Sequence, residues 1–298
     1  MNRLLTRMVL MVTLAGCASL GQYSNGDVRF GPRNNLGMIE YDPIQEASGI
    51  VASRKNSNVL WTHNDSGVPA IYALNTRGRH LGEYVLQGCN EPGWEDIALA
   101  YDEESGKDFI YIGAIGDNRQ RRKSRSICRI VEPDVYEDQD TVTENLHEIE
   151  LMRFRYPDGS YDAETLLVDP QTGELYVITK RIIPARVYRV PSSFGTFELE
   201  TAEMVAELPY RWIVGGDISR DGTEILIKTY TAIYYWRRQA GESLADVFTR
   251  SPETVPYVWE AGGEAVGWGP AADGYYTVSE EILGIPARLF YYPRLKEN

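Results

Sequence analysis

One four-residue phrase recurs five times along the chain, and it constrains the fold more than any other feature. The copies are Ala-Ser-Gly-Ile at 47–50, Trp-Glu-Asp-Ile at 94–97, Ala-Glu-Thr-Leu at 163–166, Gly-Gly-Asp-Ile at 215–218 and Gly-Glu-Ala-Val at 263–266. Each opens an apolar run, then a turn rich in Asp, Gly and Asn, then a second apolar run. The copies follow one another at 47, 69, 52 and 48 residues. A loose period near fifty is the mark of a propeller or repeat array. The phrase is read as the start of the innermost strand of each blade, so the expected fold is an all-β, five-bladed β-propeller. Aligned on the final aliphatic residue, the second column reads Ser48, Glu95, Glu164, Gly216 and Glu264, with Asp217 adjacent to the glycine as a substitute. Five inner strands that start on one face set this column around a single axis.

Such a column poses an electrostatic problem. Two like charges ~4 Å apart repel by about 4 kcal/mol at an effective dielectric near 20. Three glutamates facing one axis must hold protons or a cation. The column contains no His or Cys, and oxygen ligands alone favour a hard cation, calcium before magnesium. The expected metal ligands are therefore Ser48, Glu95, Glu164, Asp217 and Glu264, and calcium is the expected cofactor. The competing reading has these residues capping strands or pairing with nearby arginines.

Alternation of apolar and polar residues places the other strands. Blade one is expected over Gly49–Ser53, Val59–His63, Ala70–Leu74 and Gly82–Leu86. Blade two follows over Ile97–Tyr101, Phe109–Ile112, Ile127–Val131 and Ile149–Phe154, and blade three over Thr165–Val168, Leu175–Thr179, Val187–Val190 and Glu203–Leu208. Blade four is read over Asp217–Ser219, Ile225–Thr229, Ile233–Trp236 and Pro256–Trp259. Blade five offers only Ala265–Trp268, Tyr275–Val278 and Leu289–Tyr292 before the chain ends. A spare strand at Met38–Tyr41 can complete it and close the ring, leaving no open sheet edge. Asp134 to His147 reads as an acidic, solvated insertion, and no helix of useful length is evident.

The chain begins with a leader. Arg3 and Arg7 precede the short apolar run Met8 to Leu14, too short to span a bilayer. It ends Leu14-Ala15-Gly16-Cys17, which resembles a bacterial lipobox. Residues 1–16 are expected to be a signal peptide, Cys17 the lipidated residue, 17–36 a flexible Gly, Asn and Ser tether, and 37–298 a single propeller domain. Ala18 rather than Asp follows the cysteine, so the expected location is the bacterial envelope, at the outer membrane facing the periplasm. Losing Arg3 and Arg7 with the leader takes the 30 basic residues to 28 against 43 acidic ones, a charge of −15. That balance excludes a nucleic-acid partner and an electrostatic membrane partner, leaving the lipid as the only membrane contact. A monomer is expected. The oxidising compartment permits a disulfide between Cys89 and Cys128, with two separate buried thiols as the alternative.

Strand direction locates the chemistry. The second strand of each blade returns to the face on which the first began, so its end lies beside the column. Those ends are the polar stretches His63-Asn64-Asp65-Ser66-Gly67, Gly116 to Arg122, Lys180-Arg181, Lys228-Thr229-Tyr230 and Ser279-Glu280-Glu281. Polar loops converging on one face describe a funnel-shaped site. Lys180, Arg181, Lys228 and one of Arg119 or Arg122 suit an anion such as phosphate or carboxylate. Asn64, Asn118 and Tyr230 add polar ligand contacts. Asp65 and Asp117 can position water, and His63 is a general acid or base candidate near neutral pH. No nucleophile-elbow serine, phosphate-cradling Gly-rich loop before a helix or zinc-spaced His/Cys set is present in the sequence.

The column Ser48, Glu95, Glu164, Gly216, Glu264 resembles the central calcium ring of the five-bladed calcium-activated nucleotidases, the soluble apyrases. The resemblance implies axial calcium held by serines and glutamates, and it departs at Gly216, where that family has a serine. It covers the blade starts only, and the family's nucleotide-gripping segments are not recognisable. Separately, His63 to Gly67, Trp94 to Ala98, Ile115 to Asn118 and Arg121-Arg122 look like a group of secreted bacterial propellers. Three functions follow as expectations. The first is a calcium-dependent hydrolase of a small anionic, perhaps phosphorylated, substrate. The second is a non-enzymatic propeller with structural calcium that binds a ligand or an envelope protein. The third is a glycosidase using carboxylates such as Asp65, Asp117 and Glu264, which needs two carboxyls about 5–9.5 Å apart.

Overall fold

The computed structural model describes residues 30–282 and 284–296. The leader, Cys17 and the first part of the tether lie outside the described residues. The strands form five antiparallel-based sheets, one per blade. The chain enters through Phe30, which bridges Arg294, and β1 (Asn34–Met38) joins the last blade. Blade one contains β2 (Ala47–Ala52), β3 (Val59–Asn64), β4 (Ala70–Asn75) and β5 (His80–Leu86). Blade two contains β6 (Trp94–Asp102), β7 (Lys107–Ala114) and β8 (Arg125–Val131). The chain then runs through β9 (Val142–Leu146) to β10 (Glu150–Arg155), the fourth strand of blade two. Blade three contains β11 (Ala163–Val168), β12 (Leu175–Thr179), β13 (Ala185–Val190) and, after β14 (Leu199–Thr201), β15 (Glu203–Leu208). Blade four contains β16 (Ile213–Ile218), β17 (Glu224–Thr229), β18 (Ile233–Arg237), the helix α1 (Leu244–Thr249) and β19 (Glu253–Val255). Blade five contains β20 (Gly263–Trp268), β21 (Gly274–Ser279) and β22 (Arg288–Pro293).

The ring closes as expected, by an N-terminal strand on the last blade, but with β1 at 34–38 rather than 38–41. Phe30 is already in the core, packed with Tyr235, Trp268 and Tyr275, so part of the expected tether belongs to the fold. The apolar cores lie between neighbouring blades. Blades one and two share Trp61, Tyr84, Ile97 and Ile112, and blades three and four share Tyr176, Ile178, Ile225 and Trp236. The inner strands β2, β11, β16 and β20 are buried along their whole length, and β6 from Trp94 to Ala100, which is why their sequences read as apolar runs rather than alternations.

The connections between third and fourth strands differ from expectation. Residues 142–146 are solvent-exposed as expected, but they form a strand rather than a loop; β9 pairs in parallel with β5, the outer strand of the preceding blade. Blade three repeats the device, since β14 pairs in parallel with β10 of blade two. Blade four uses α1, whose Leu244, Val247 and Phe248 pack beside Leu208 of blade three. Ser243 caps this single turn-and-a-half in a capping box with Asp246. An outer strand exposes a row of unpaired N–H and C=O groups, and a back-reaching segment satisfies or covers them.

Candidate functional site

Every inner strand opens with a bulge. Register passes from Ala47 opposite Asn64 to Gly49 opposite His63, from Trp94 to Asp96, from Ala163 to Thr165, from Ile213 to Gly215 and from Gly263 to Ala265. The skipped residues are Ser48, Glu95, Glu164, Val214 and Glu264. A bulge leaves one residue outside the ladder and re-aims its side chain. Four members of the expected column, Ser48, Glu95, Glu164 and Glu264, thus share one bulge position. The fourth blade contributes Val214, not Gly216 or Asp217. Gly216 lies two residues further down the strand, opposite Ile227. Aligning the blade-four phrase as Ile-Val-Gly-Gly at 213–216 would have found this, because Val214 lies 50 residues from both Glu164 and Glu264. Asp217 instead accepts hydrogen bonds from the N–H groups of Trp268, at 2.7 Å, and Ile218, at 2.8 Å. Burial pushes its carboxyl up to about 7, against those bonds and the charge of Arg54. Asp96 likewise ties blade two to blade three through Leu166 N–H at 3.0 Å, and burial raises it well above the carboxylate range.

The axial charge balance rests on a lysine. Lys180, just past β12, donates to Glu164 and lies 3.6 Å from Glu264. Tyr230, just past β17, donates to Glu264 at 2.6 Å, and its ring lies 5.2 Å from the Lys180 ammonium. Burial works to lower Lys180, but the charges of Glu164 and Glu264 outweigh it and keep the ammonium protonated. Glu95 is raised well above the usual carboxylate range, first by burial and then by Glu164 and Asp65. Its carboxylate rests on Gly116, where a Cβ would come within 1.7 Å of Oε1. The Ser48 hydroxyl donates to the Glu95 carbonyl at 2.7 Å.

These residues do not fit a calcium ion as arranged. Calcium takes six to eight oxygens. Here an ammonium bonds one glutamate and approaches a second, Ser48 is turned to the main chain, and blade four supplies an aliphatic group. Among the described residues, no group of three or more His, Cys, Asp or Glu side chains is arranged to hold a metal.

The remaining predicted residues sort by geometry. His63 is fully buried, edge-on to Trp94, with Nδ1 3.0 Å from the Asn64 carbonyl. Burial pushes it down to about 4, so it is a neutral core group and not an acid or base open to substrate. Asn64 staples a turn, accepting from the N–H groups of Gln45 and Glu46 and donating to the Pro43 carbonyl. Asp117 is also structural. It accepts from Arg122 N–H at 2.8 Å, Ser160 at 3.0 Å and Arg125 at 2.8 Å. Burial opposes ionisation, but these bonds and the Arg125 charge hold its carboxyl below the usual range, leaving a weak base. Arg122 donates to the carbonyls of Pro92 and Gly116, and Arg181 to Asp162 and Asn118. Lys228 is buried on the Gly263 carbonyl and is pushed down to about 8 by burial, against Glu260. Of the cations expected to hold an anion, Lys180, Arg181, Arg122 and Lys228 are therefore already engaged within the chain, while Arg119 is exposed. Asp65 remains at the mouth, beside a cavity of about 350 Å³ between residues 64–69 and 90–94.

Cys89 and Cys128 are bonded, with Cα atoms 6.1 Å apart. The bridge fastens the connection entering blade two to that blade's third strand.

Fold and site together define a five-bladed propeller with an axial centre of three glutamates and a lysine. No protein-family model matches the sequence, and no curated protein matches it by sequence. Among solved structures, the chain is similar to a gluconolactonase from Xanthomonas campestris at 13% identity, covering 80% of this chain and 69% of that one, with a TM-score of 0.45. It is similar to the PQQ-bound aldose sugar dehydrogenase of Streptomyces coelicolor at 12% identity, over 89% of this chain and 98% of that one, with a TM-score of 0.46. A chain of a nidogen–laminin complex matches at 13% identity, over 81% and 74%, with a TM-score of 0.46.

Proposed function

We propose that this protein is an envelope-anchored propeller, carried on lipid at Cys17, that hydrolyses a small molecule at its axial funnel by acid–base chemistry. The observation that carries this reading is the axial charge balance. Three glutamates converge on one ammonium that contacts two of them: burial raises Glu95 well above the usual carboxylate range and pushes Glu164 up to about 8 against the charge of Lys180, so the centre takes up protons as well as the ammonium. A proton-bearing carboxyl beside a second carboxyl able to accept a proton is the pairing that such hydrolysis needs. Glu95 would donate to the leaving oxygen, and Glu264, oriented by Tyr230, would take the proton of the attacking water. Lys180 positions Glu164 and Glu264.

The test is a substrate screen of the purified protein with D-glucono-1,5-lactone, p-nitrophenyl acetate and p-nitrophenyl phosphate. Turnover should be lost in Glu95→Gln and Glu264→Gln with melting temperature preserved. No turnover of any of the three, or turnover indifferent to both substitutions, overturns the reading. Axial calcium is the competing reading, and it requires the ammonium to leave. Melting is expected to be unchanged by chelator; a fall restored by calcium would favour the ion instead.

A further inference from the structure

The funnel rim is asymmetric in charge. Residues 115–124 of blade two are pinned from beneath by Asp117, whose carboxylate gathers Arg122 N–H, Ser160 and Arg125. This scaffold turns Arg119, Arg121 and Lys123 outward, all exposed. The arc continues by contact. Asn118 accepts from Arg181, the Arg181 guanidinium lies 5.4 Å from the Trp212 ring, and the exposed Arg211 guanidinium lies 4.9 Å from the same ring. Trp212 has φ of 59°, the left-handed region that a bulky residue rarely adopts, and its N–H is held by the Lys180 carbonyl at 2.6 Å. Backbone strain of this kind persists where a side chain must be held in one place, and it concentrates at binding sites. Here it sets the indole against both guanidiniums and 6.5 Å from the ring of Tyr230, which bonds the axial Glu264. A guanidinium stacked on an aromatic face keeps its N–H edge for a planar oxyanion.

We infer that Arg119, Arg121 and Lys123 on the blade-two rim, joined through Asn118 and Arg181 to Arg211 beside Trp212, bind the phosphate or carboxylate arm of a small molecule whose reacting group lies over Glu95 and Glu264. This rests on the axial face being the substrate site. We take the occupant to be a small molecule rather than the anchoring bilayer; Phe30 bridges Arg294, and Pro293 pairs with Gly274 at the end of β21 away from the funnel, so the described chain begins at the opposite pole. It also separates anion binding from the buried Lys180 and Lys228, which serve the axis.

Isothermal titration of the full-length protein with pyrophosphate and with citrate tests the assignment and distinguishes phosphate from carboxylate. At least one of the two anions should bind, and both Arg211→Gln and the triple variant Arg119→Gln/Arg121→Gln/Lys123→Gln should weaken it by about tenfold or more. Glu95→Gln should retain or strengthen the affinity while removing turnover. Equal affinity in wild type and the triple variant overturns the inference, as does no binding of either anion. So does binding confined to anionic phospholipid vesicles, which would assign the arc to a membrane. Anion binding by the arc together with turnover indifferent to Glu95→Gln would leave the arc standing and remove the axial reading instead.

Discussion

Single side chains in this propeller are legible through their neighbours. Gly116 has no room for a methyl group because the Glu95 carboxylate lies against its Cα. Gly116→Ala should therefore displace Glu95 and destabilise the fold by about 1–3 kcal/mol, the usual cost of overpacking. The same substitution in a Glu95→Ala background should cost less, and denaturant titration of the four proteins checks the coupling. His63 carries a pH signature. Its folded pKa of about 4 lies below the ordinary 6.5, so the unfolded chain binds the proton more readily between those values. The stability His63 contributes is complete above pH 6.5 and is lost as pH falls towards 4. The loss is on the order of 3 kcal/mol, and it should be absent from His63→Phe in paired denaturation curves at pH 7 and pH 4.5. The sequence put His63 in a polar stretch and so suggested chemistry; only packing against Trp94 and Gly49 shows it to be core.

At the scale of elements, the inner strands are joined by buried carboxylates as well as by apolar packing. Asp217 in β16 accepts from Trp268 in β20, and its pKa is raised from 3.8 to about 7. A raised acid stabilises the fold less as pH climbs from about 4 through 7, because the folded state holds the proton more tightly. Asp217→Asn should flatten that part of the pH profile while keeping an acceptor for Trp268. Asp217→Ala should lose about 1–3 kcal/mol at every pH through the unsatisfied N–H, as thermal melts at pH 5 and pH 8 would show. The disulfide between Cys89 and Cys128 closes a separation of 39 residues, and Cys89→Ser/Cys128→Ser should cost about 2–4 kcal/mol in denaturant titration. Strand positions were readable because turns rich in Asp, Gly and Asn punctuate apolar runs. The fate of residues 142–146 was not, because their polar sequence gives no sign that β5 offers a vacant edge.

For the whole molecule, closure is the decisive act. β1 completes blade five and Phe30 seals the side of blade four, so the first and last described strands meet in one sheet. Removing residues 1–38 should abolish cooperative unfolding in thermal circular dichroism, since it strips the last blade of its outer strand; a truncated protein that still melts sharply would show that four and three-quarter blades suffice. The sequence by itself determined the five-fold repeat, the all-β class, the closing N-terminal strand and four of the five axial positions, because each depends on local periodicity. The spacing of 50 residues to Glu164 and to Glu264 also points to Val214, but only the tertiary structure showed the bulge that puts it in the fifth position, that Asp117 and His63 serve the scaffold, and that Lys180 bonds Glu164. Those outcomes depend on a one-residue bulge and on side chains from different blades meeting at one axis. Hydrophobic pattern cannot register a bulge, and it carries no information about which charges meet across the ring.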